Sequence, residues 1–186
     1  RTVIDFYYTV CIEFKNNTQV YLEEGCYIYA TMPDRVETPM LDPAWSGMTR
    51  WNALFWGNGV ENVKISGRGM IDLSKLDWLG RSAIMFDSCK NIEVEGITLN
   101  NSPEWTLYFM YSENITVRDI LLFGYRQNSD GICIVDGADV LVENCFARSG
   151  DDLFEVKSMN GNCDIPIRNI VFRRCIGWPD KARGIG

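Results

Sequence analysis

A right-handed, single-stranded parallel β-helix is the all-β fold this sequence predicts, on three observations. One segment pattern recurs along the chain. Each copy alternates apolar and polar residues. The clear copies start 23 to 30 residues apart. Internal repeats at such a period mark a solenoid, in which each unit buries its apolar face only by stacking on its neighbours.

The clear copies start at Asn62, Asn91, Asn114, Asp139 and Asn169, and a looser one starts at Gln19. Asn and Asp suit the turn into each copy because they tolerate left-handed backbone. Two alternating apolar residues follow, such as Ile92 and Val94 or Ile115 and Val117. Period-two alternation means a strand with one buried face. A mostly polar pair then forms a corner, and apolar residues resume. No amphipathic helix of useful length lies between copies, which argues against a βαβ fold. The leucine-asparagine framework of leucine-rich repeats is also missing.

This register predicts stacked columns. Phe55, Ile84, Leu107, Ile132 and Phe154 form one, and Gly57, Phe86, Phe109, Ile134 and Val156 form the next inward one. Cys145 and Cys175 share a column on adjacent coils, where a disulfide is the minor reading and buried thiols the main one. The 186 residues suffice for one domain, 1–186, with an irregular loop-rich segment at about 31–60. The chain stops in mid-strand at Gly186, so further C-terminal coils of a longer protein are expected.

Composition narrows the functions. The net charge of −7 argues against a nucleic-acid partner. No apolar run is long enough to span a bilayer, so no membrane partner is expected. No secretory leader opens the sequence, which leaves a cytoplasmic location or a leader outside it. The seven cysteines form no C-x-x-C pair, and the chain has no histidine, so no metal and no cofactor are expected.

The same register gathers acids. Aligning Ile132 with Phe154 brings Asp130 level with Asp152 on the next coil, about 4.8 Å away along the stack. Asp151 is adjacent in the chain. Three carboxylates so close cannot all ionise at their free pKa values, and one is pushed to hold a proton. Glycoside hydrolysis needs that division of labour: an acid for the leaving oxygen and a carboxylate for water or carbon. The bland readings are an Asp-Gly turn, a solvated Asp-Asp loop, or a Ca²⁺ site. Trp105 shares the register one coil earlier, as a sugar platform or as a half-buried cap on the core. Lys157 follows the inward Val156 and points outward, toward substrate or solvent. Arg126 and Lys181 read as solvated neighbours.

The runs Asn128-Ser129-Asp130-Gly131 and Gly150-Asp151-Asp152, with Lys157 shortly after, resemble the core of glycoside hydrolase family 28, the polygalacturonase family of pectin-lyase-like β-helices. Tyr21 to Gly25, Ile65 to Asp72 and Asn101 to Thr106 agree with it, so the likeness covers roughly residues 17 to 158. It is most similar to the bacterial branch. The resemblance implies an inverting hydrolase of a pectic, uronic-acid or galactoside polysaccharide. It implies Asp151 as general acid, Asp130 and Asp152 sharing water activation, and Trp105, Asn128, Lys157 and Arg183 at the substrate. It also implies an extracellular or periplasmic location. Ser129 stands where the family has Thr. The family's supporting histidine is missing, and by register Arg183 falls near its place. An Arg cannot shuttle protons but can clamp an acidic sugar. The family's Arg-x-Lys motif would fall beyond Gly186. Two other classes stay open: a β-helix polysaccharide lyase and a non-catalytic carbohydrate-binding or adhesive β-helix. Oligomeric state is not legible.

Overall fold

The computed structural model describes residues 2–5, 11–31, 53–76, 81–159 and 166–186. Nineteen strands run through these residues, and none of them is helical. The strands form three sheets in which every pairing is parallel. Each strand pairs with the one three places later in the chain, so successive coils each give one strand to each sheet. This is the β-helix the repeats predict.

The first sheet runs from Thr2–Asp5 through Tyr27–Thr31, Met70–Asp72, Thr98–Asn100, Leu121–Phe123 and Phe146–Ser149 to Ile176–Pro179. The second holds Ile12–Glu13, Ala53–Asn58, Ser82–Asp87, Leu107–Met110, Ile132–Val135 and Phe154–Lys157. The third holds the repeat segments, Gln19–Leu22, Glu61–Gly67, Lys90–Glu95, Glu113–Arg118, Ala138–Glu143 and Arg168–Arg173. Most of the loop-rich segment expected at 31–60 lies outside the described residues. Its last part is not loop: Ala53–Asn58 is a strand of the second sheet, because Phe55 belongs to the apolar column.

The anchors explain why the coils stay in step. The first copy is anchored by Asn17, not by the expected Gln19, which pairs with Lys64 two residues past Asn62. Asn17, Asn62, Asn91, Asn114, Asp139 and Asn169 all have φ between 52° and 61°, the left-handed region that Asn and Asp tolerate best. That turn lets each side chain lie along the stack. Asn62 donates to Asn17 (2.9 Å), Asn91 to Asn62 (2.9 Å), Asn114 to Asn91 (2.6 Å) and Asn169 to Asp139 (2.7 Å). An amide can both donate and accept, so it can extend the ladder in either direction.

The core lies inside the coils. Phe55, Ile84, Leu107, Ile132 and Phe154 stack as one column, with Ile12 added at its start. Phe86 and Phe109 stack with centroids 5.6 Å apart. Phe86 also reaches back to Phe14, 5.3 Å away and two coils earlier. It does so across Gly57, where a Cβ would come within 2.7 Å of the Phe86 ring. Cys145 and Cys175 are free thiols in this packing, in line with the main reading.

A second apolar cluster sits on the outer face of the second sheet. Ala53, Met85, Trp105, Tyr108, Met110, Cys133 and Val135 are all buried there. Tyr108 donates its hydroxyl to Met85 Sδ at 2.7 Å. The second sheet is thus apolar on both faces where it approaches the acids.

Replacing Asn91 by Ala removes two ladder bonds and leaves a Cβ at positive φ, for an expected loss of about 2 kcal/mol. Asn91→Gly relieves the backbone cost, so its loss is smaller. Urea unfolding of both variants measures the difference.

Candidate active site

The acids lie where the chain enters the second sheet. Leu107 pairs with Ile132, Ile132 with Phe154, and Phe154 with Ile185. Two residues upstream on each coil, that register aligns Trp105, Asp130, Asp152 and Arg183. Backbone bonds fix the alignment: Thr106 N–H donates to Asp130 C=O, Gly131 N–H to Asp152 C=O, both at 2.8 Å, and Leu153 N–H to Arg183 C=O at 3.0 Å. Gly131 is needed here because a Cβ would come 2.3 Å from the Leu153 carbonyl oxygen.

Two serines hold the entry loops together. Ser129 Oγ donates to Arg126 C=O at 2.7 Å and lies 2.8 Å from Ser149 Oγ. Ser149 also bonds to the Ser129 carbonyl. Arg126 is not solvated as expected. It is buried, and its guanidinium donates to the carbonyls of Leu76 (2.8 Å) and Ser74 (2.9 Å). Main-chain carbonyls that would otherwise lack donors account for a buried Arg better than solvent does.

Asp130 is 5% exposed. Burial, then the charge of Asp151, then that of Glu155 push its pKa up to about 8, while the Lys157 ammonium pulls the other way. Asp130 is therefore the carboxyl that keeps its proton at neutral pH. Asp151 and Asp152 are half-buried. Asp151 Oδ1 accepts from Asp152 N–H at 2.9 Å, and Asp151 N–H donates to Ser149 Oγ at 3.2 Å. Asp152 turns toward the following coil, where its Oδ1 accepts the Arg183 backbone N–H at 2.8 Å. Arg183 thus meets the acids through its amide, and its side chain is exposed.

Lys157 is gripped on three sides. Its Nζ lies 2.6 Å from Glu155 Oε1, 3.7 Å from Asp130 Oδ2 and 3.9 Å from the centroid of the Trp105 ring. Trp105 is only 8% exposed, stands edge-on to Tyr108, and has the ammonium over it. Asn128 is exposed and hydrogen-bonds the Glu104 carboxyl, which burial pushes upward in pKa and Asn128 pulls back.

The sequence reading missed Glu155. It alternates correctly with Val156, so it faces outward, but the outward face here is buried and Glu155 is 6% exposed. Asp130, Cys133 and Glu155 each place one potential ligand atom within 4.8 Å of the others. The Lys157 ammonium already supplies the positive charge such a group attracts.

The model of Glycosyl hydrolases family 28 matches residues 38–177. Among relatives, a probable polygalacturonase of Vitis vinifera is 29% identical over 143 residues, which cover 67% of this chain and 29% of that protein. Exopolygalacturonase B of Aspergillus niger is 28% identical over 153 residues, covering 70% of this chain and 33% of that protein. The chain spans about a third of the length of these relatives. In solved structures it is similar to an exopolygalacturonase from Thermotoga maritima, with TM-score 0.73 and 21% identity over 95% of this chain and 52% of that one. It is also similar to a polygalacturonase from Erwinia carotovora, with TM-score 0.75 and 17% identity over 94% and 56%. These likenesses carry the fold, a right-handed parallel β-helix.

The raised pKa of Asp130 has a consequence for stability. Unfolded, the carboxyl ionises near the ordinary value of about 3.9. Its stabilising contribution is whole below that pH and declines as pH rises toward about 8, where the folded carboxyl ionises too. Asp130→Asn should remove this decline. Thermal unfolding at pH 5 and pH 8 should show the variant gaining on the parent at the higher pH.

Proposed function

The chain belongs to glycosyl hydrolases family 28, and we propose that the protein containing these coils hydrolyses glycosidic bonds in a uronic-acid-containing pectic polysaccharide, with inversion at the anomeric carbon. One observation carries the reading: a buried Asp130, its carboxyl pushed up to about 8 by burial and by the charge of Asp151, lies in register with Asp152. That sets a proton donor beside two further carboxylates at one edge of the stack.

After burial, the charge of Asp151 is the largest push on the Asp130 carboxyl, and in this reading the two acids work with one proton between them. In the empty site it rests on Asp130. In the productive complex it passes to Asp151, the more accessible of the two. Asp151 then donates it to the leaving oxygen as the C–O bond breaks. Asp130, now ionised, accepts one proton of the attacking water, which Asp152 shares in holding and activating, and the water oxygen bonds the anomeric carbon from the opposite face. The pair ends the cycle with one proton again, so the site resets without a histidine.

The surroundings suit an acidic sugar. The exposed Arg183 side chain lies beyond Asp152, and Lys157 stands over Trp105. Both offer cations that a uronate carboxylate can pair with. Asn128, exposed at the same edge, adds a neutral donor. An extracellular or periplasmic protein fits such a substrate.

Asp151→Asn should lower reducing-end release from polygalacturonate about 1,000-fold while leaving polysaccharide binding within a few-fold of the parent. Unsaturated uronide absorbance in place of hydrolysis would assign a lyase. Binding with neither product would assign a non-catalytic β-helix.

A further inference from the structure

The hydrolytic reading uses three aspartates, and the buried outer face of the second sheet holds a fourth carboxylate that it leaves idle. Glu155 sits in Phe154–Lys157, opposite Cys133 on the preceding coil. A glutamate in such a place needs donors for both oxygens. Lys157 Nζ serves Oε1 at 2.6 Å. Oε2 is buried and has no hydrogen-bond partner among the described residues.

The titratable groups around Glu155 are few. Asp130 and Cys133 face it from the preceding coil, each with one side-chain atom within 4.8 Å of a Glu155 carboxylate oxygen. Lys157 and Asp151 belong to its own coil. On the following side the strand pairs with the backbone of Gly184 and Gly186, past the exposed Arg183. A thiol is a weak donor. Two carboxylates can share a hydrogen bond only if one carries a proton. The proton that fits is the one on Asp130, because Lys157 lies 2.6 Å from Glu155 but 3.7 Å from Asp130. The nearer cation pairs with Glu155, and Asp130 is the carboxyl whose pKa is raised.

We propose that Glu155 is a positioning residue of this site: wedged between Asp130 and Lys157, it anchors the ammonium over Trp105 and accepts a hydrogen bond from protonated Asp130, so the site meets its substrate with one proton stored beside Asp151. The catalytic meaning of that proton rests on the hydrolase reading above. The arrangement of Glu155, Asp130 and Lys157 does not. A purely structural Glu155–Lys157 pair would stabilise the sheet and leave the proton affinity of Asp130 untouched.

The test is a carboxyl-carbon NMR titration of the intact protein, with Asp130→Asn identifying the Asp130 signal. The parent should show that carboxyl titrating at about pH 8. Glu155→Gln removes the neighbouring charge and should move the midpoint down by about one unit or more, a tenfold loss of proton affinity. Lys157→Met removes the cation and should hold the midpoint at or above the parent's. It also carries the test if Glu155→Gln does not fold. On polygalacturonate, the pH limb that depends on Asp130 should move with the midpoint in Glu155→Gln. An unchanged midpoint in Glu155→Gln, or a lowered one in Lys157→Met, overturns the proposal. Midpoints that shift as stated in a protein releasing no reducing ends uphold Glu155 and overturn the hydrolase reading.

Discussion

The backbone register between coils is the constraint on which everything else in this molecule depends. Parallel pairing repeats the same residue position once per coil, so any chemistry written at one position recurs a strand spacing away. The side-chain ladder from Asn17 to Asn114, and the Asp139–Asn169 rung after it, guard that register at one corner. The Phe55 column guards it from inside. A slip of one residue would turn each apolar side chain outward and would separate Asp130 from Asp152. Stability and the alignment of the acids therefore rest on the same hydrogen bonds.

Much of this was legible because a solenoid turns a three-dimensional problem into a periodic one. The anchors needed left-handed backbone, and Asn and Asp declared it. The columns followed by counting, and the same count aligned Trp105, Asp130, Asp152 and Arg183. What lay beyond counting was side-chain direction and burial. Register says that Asp130 and Asp152 are level. It does not say that Asp152 turns toward the Arg183 amide, or that Asp151 and Glu155 are the carboxylates that act on Asp130. Glu155 and Arg126 were misjudged for one reason: alternation separates inside from outside, and outside was equated with solvent. The second sheet is covered on its outer face near the acids, so a residue pointing out of the coil still loses its water. No local pattern announces such a cover.

Burial is also what gives the acids unequal roles. In water the carboxylates would titrate within a narrow range. Here burial and neighbouring charges raise the pKa of Asp130, and a single lysine ammonium bridges Glu155 and Asp130. The apolar cluster of Met85, Trp105, Tyr108 and Cys133 thus helps set the proton affinity of groups it does not resemble chemically.

The stacking of Phe86 on Phe14 across Gly57 bears on how this chain comes apart. A solenoid whose coils touch only their nearest neighbours can fray one unit at a time, like beads leaving a string. An aromatic contact that skips a coil ties three units into one cooperative block. Losing the outermost of the three also strips the ring from the third. The coils that carry Phe14, Phe55 and Phe86 are thereby less free to separate one at a time.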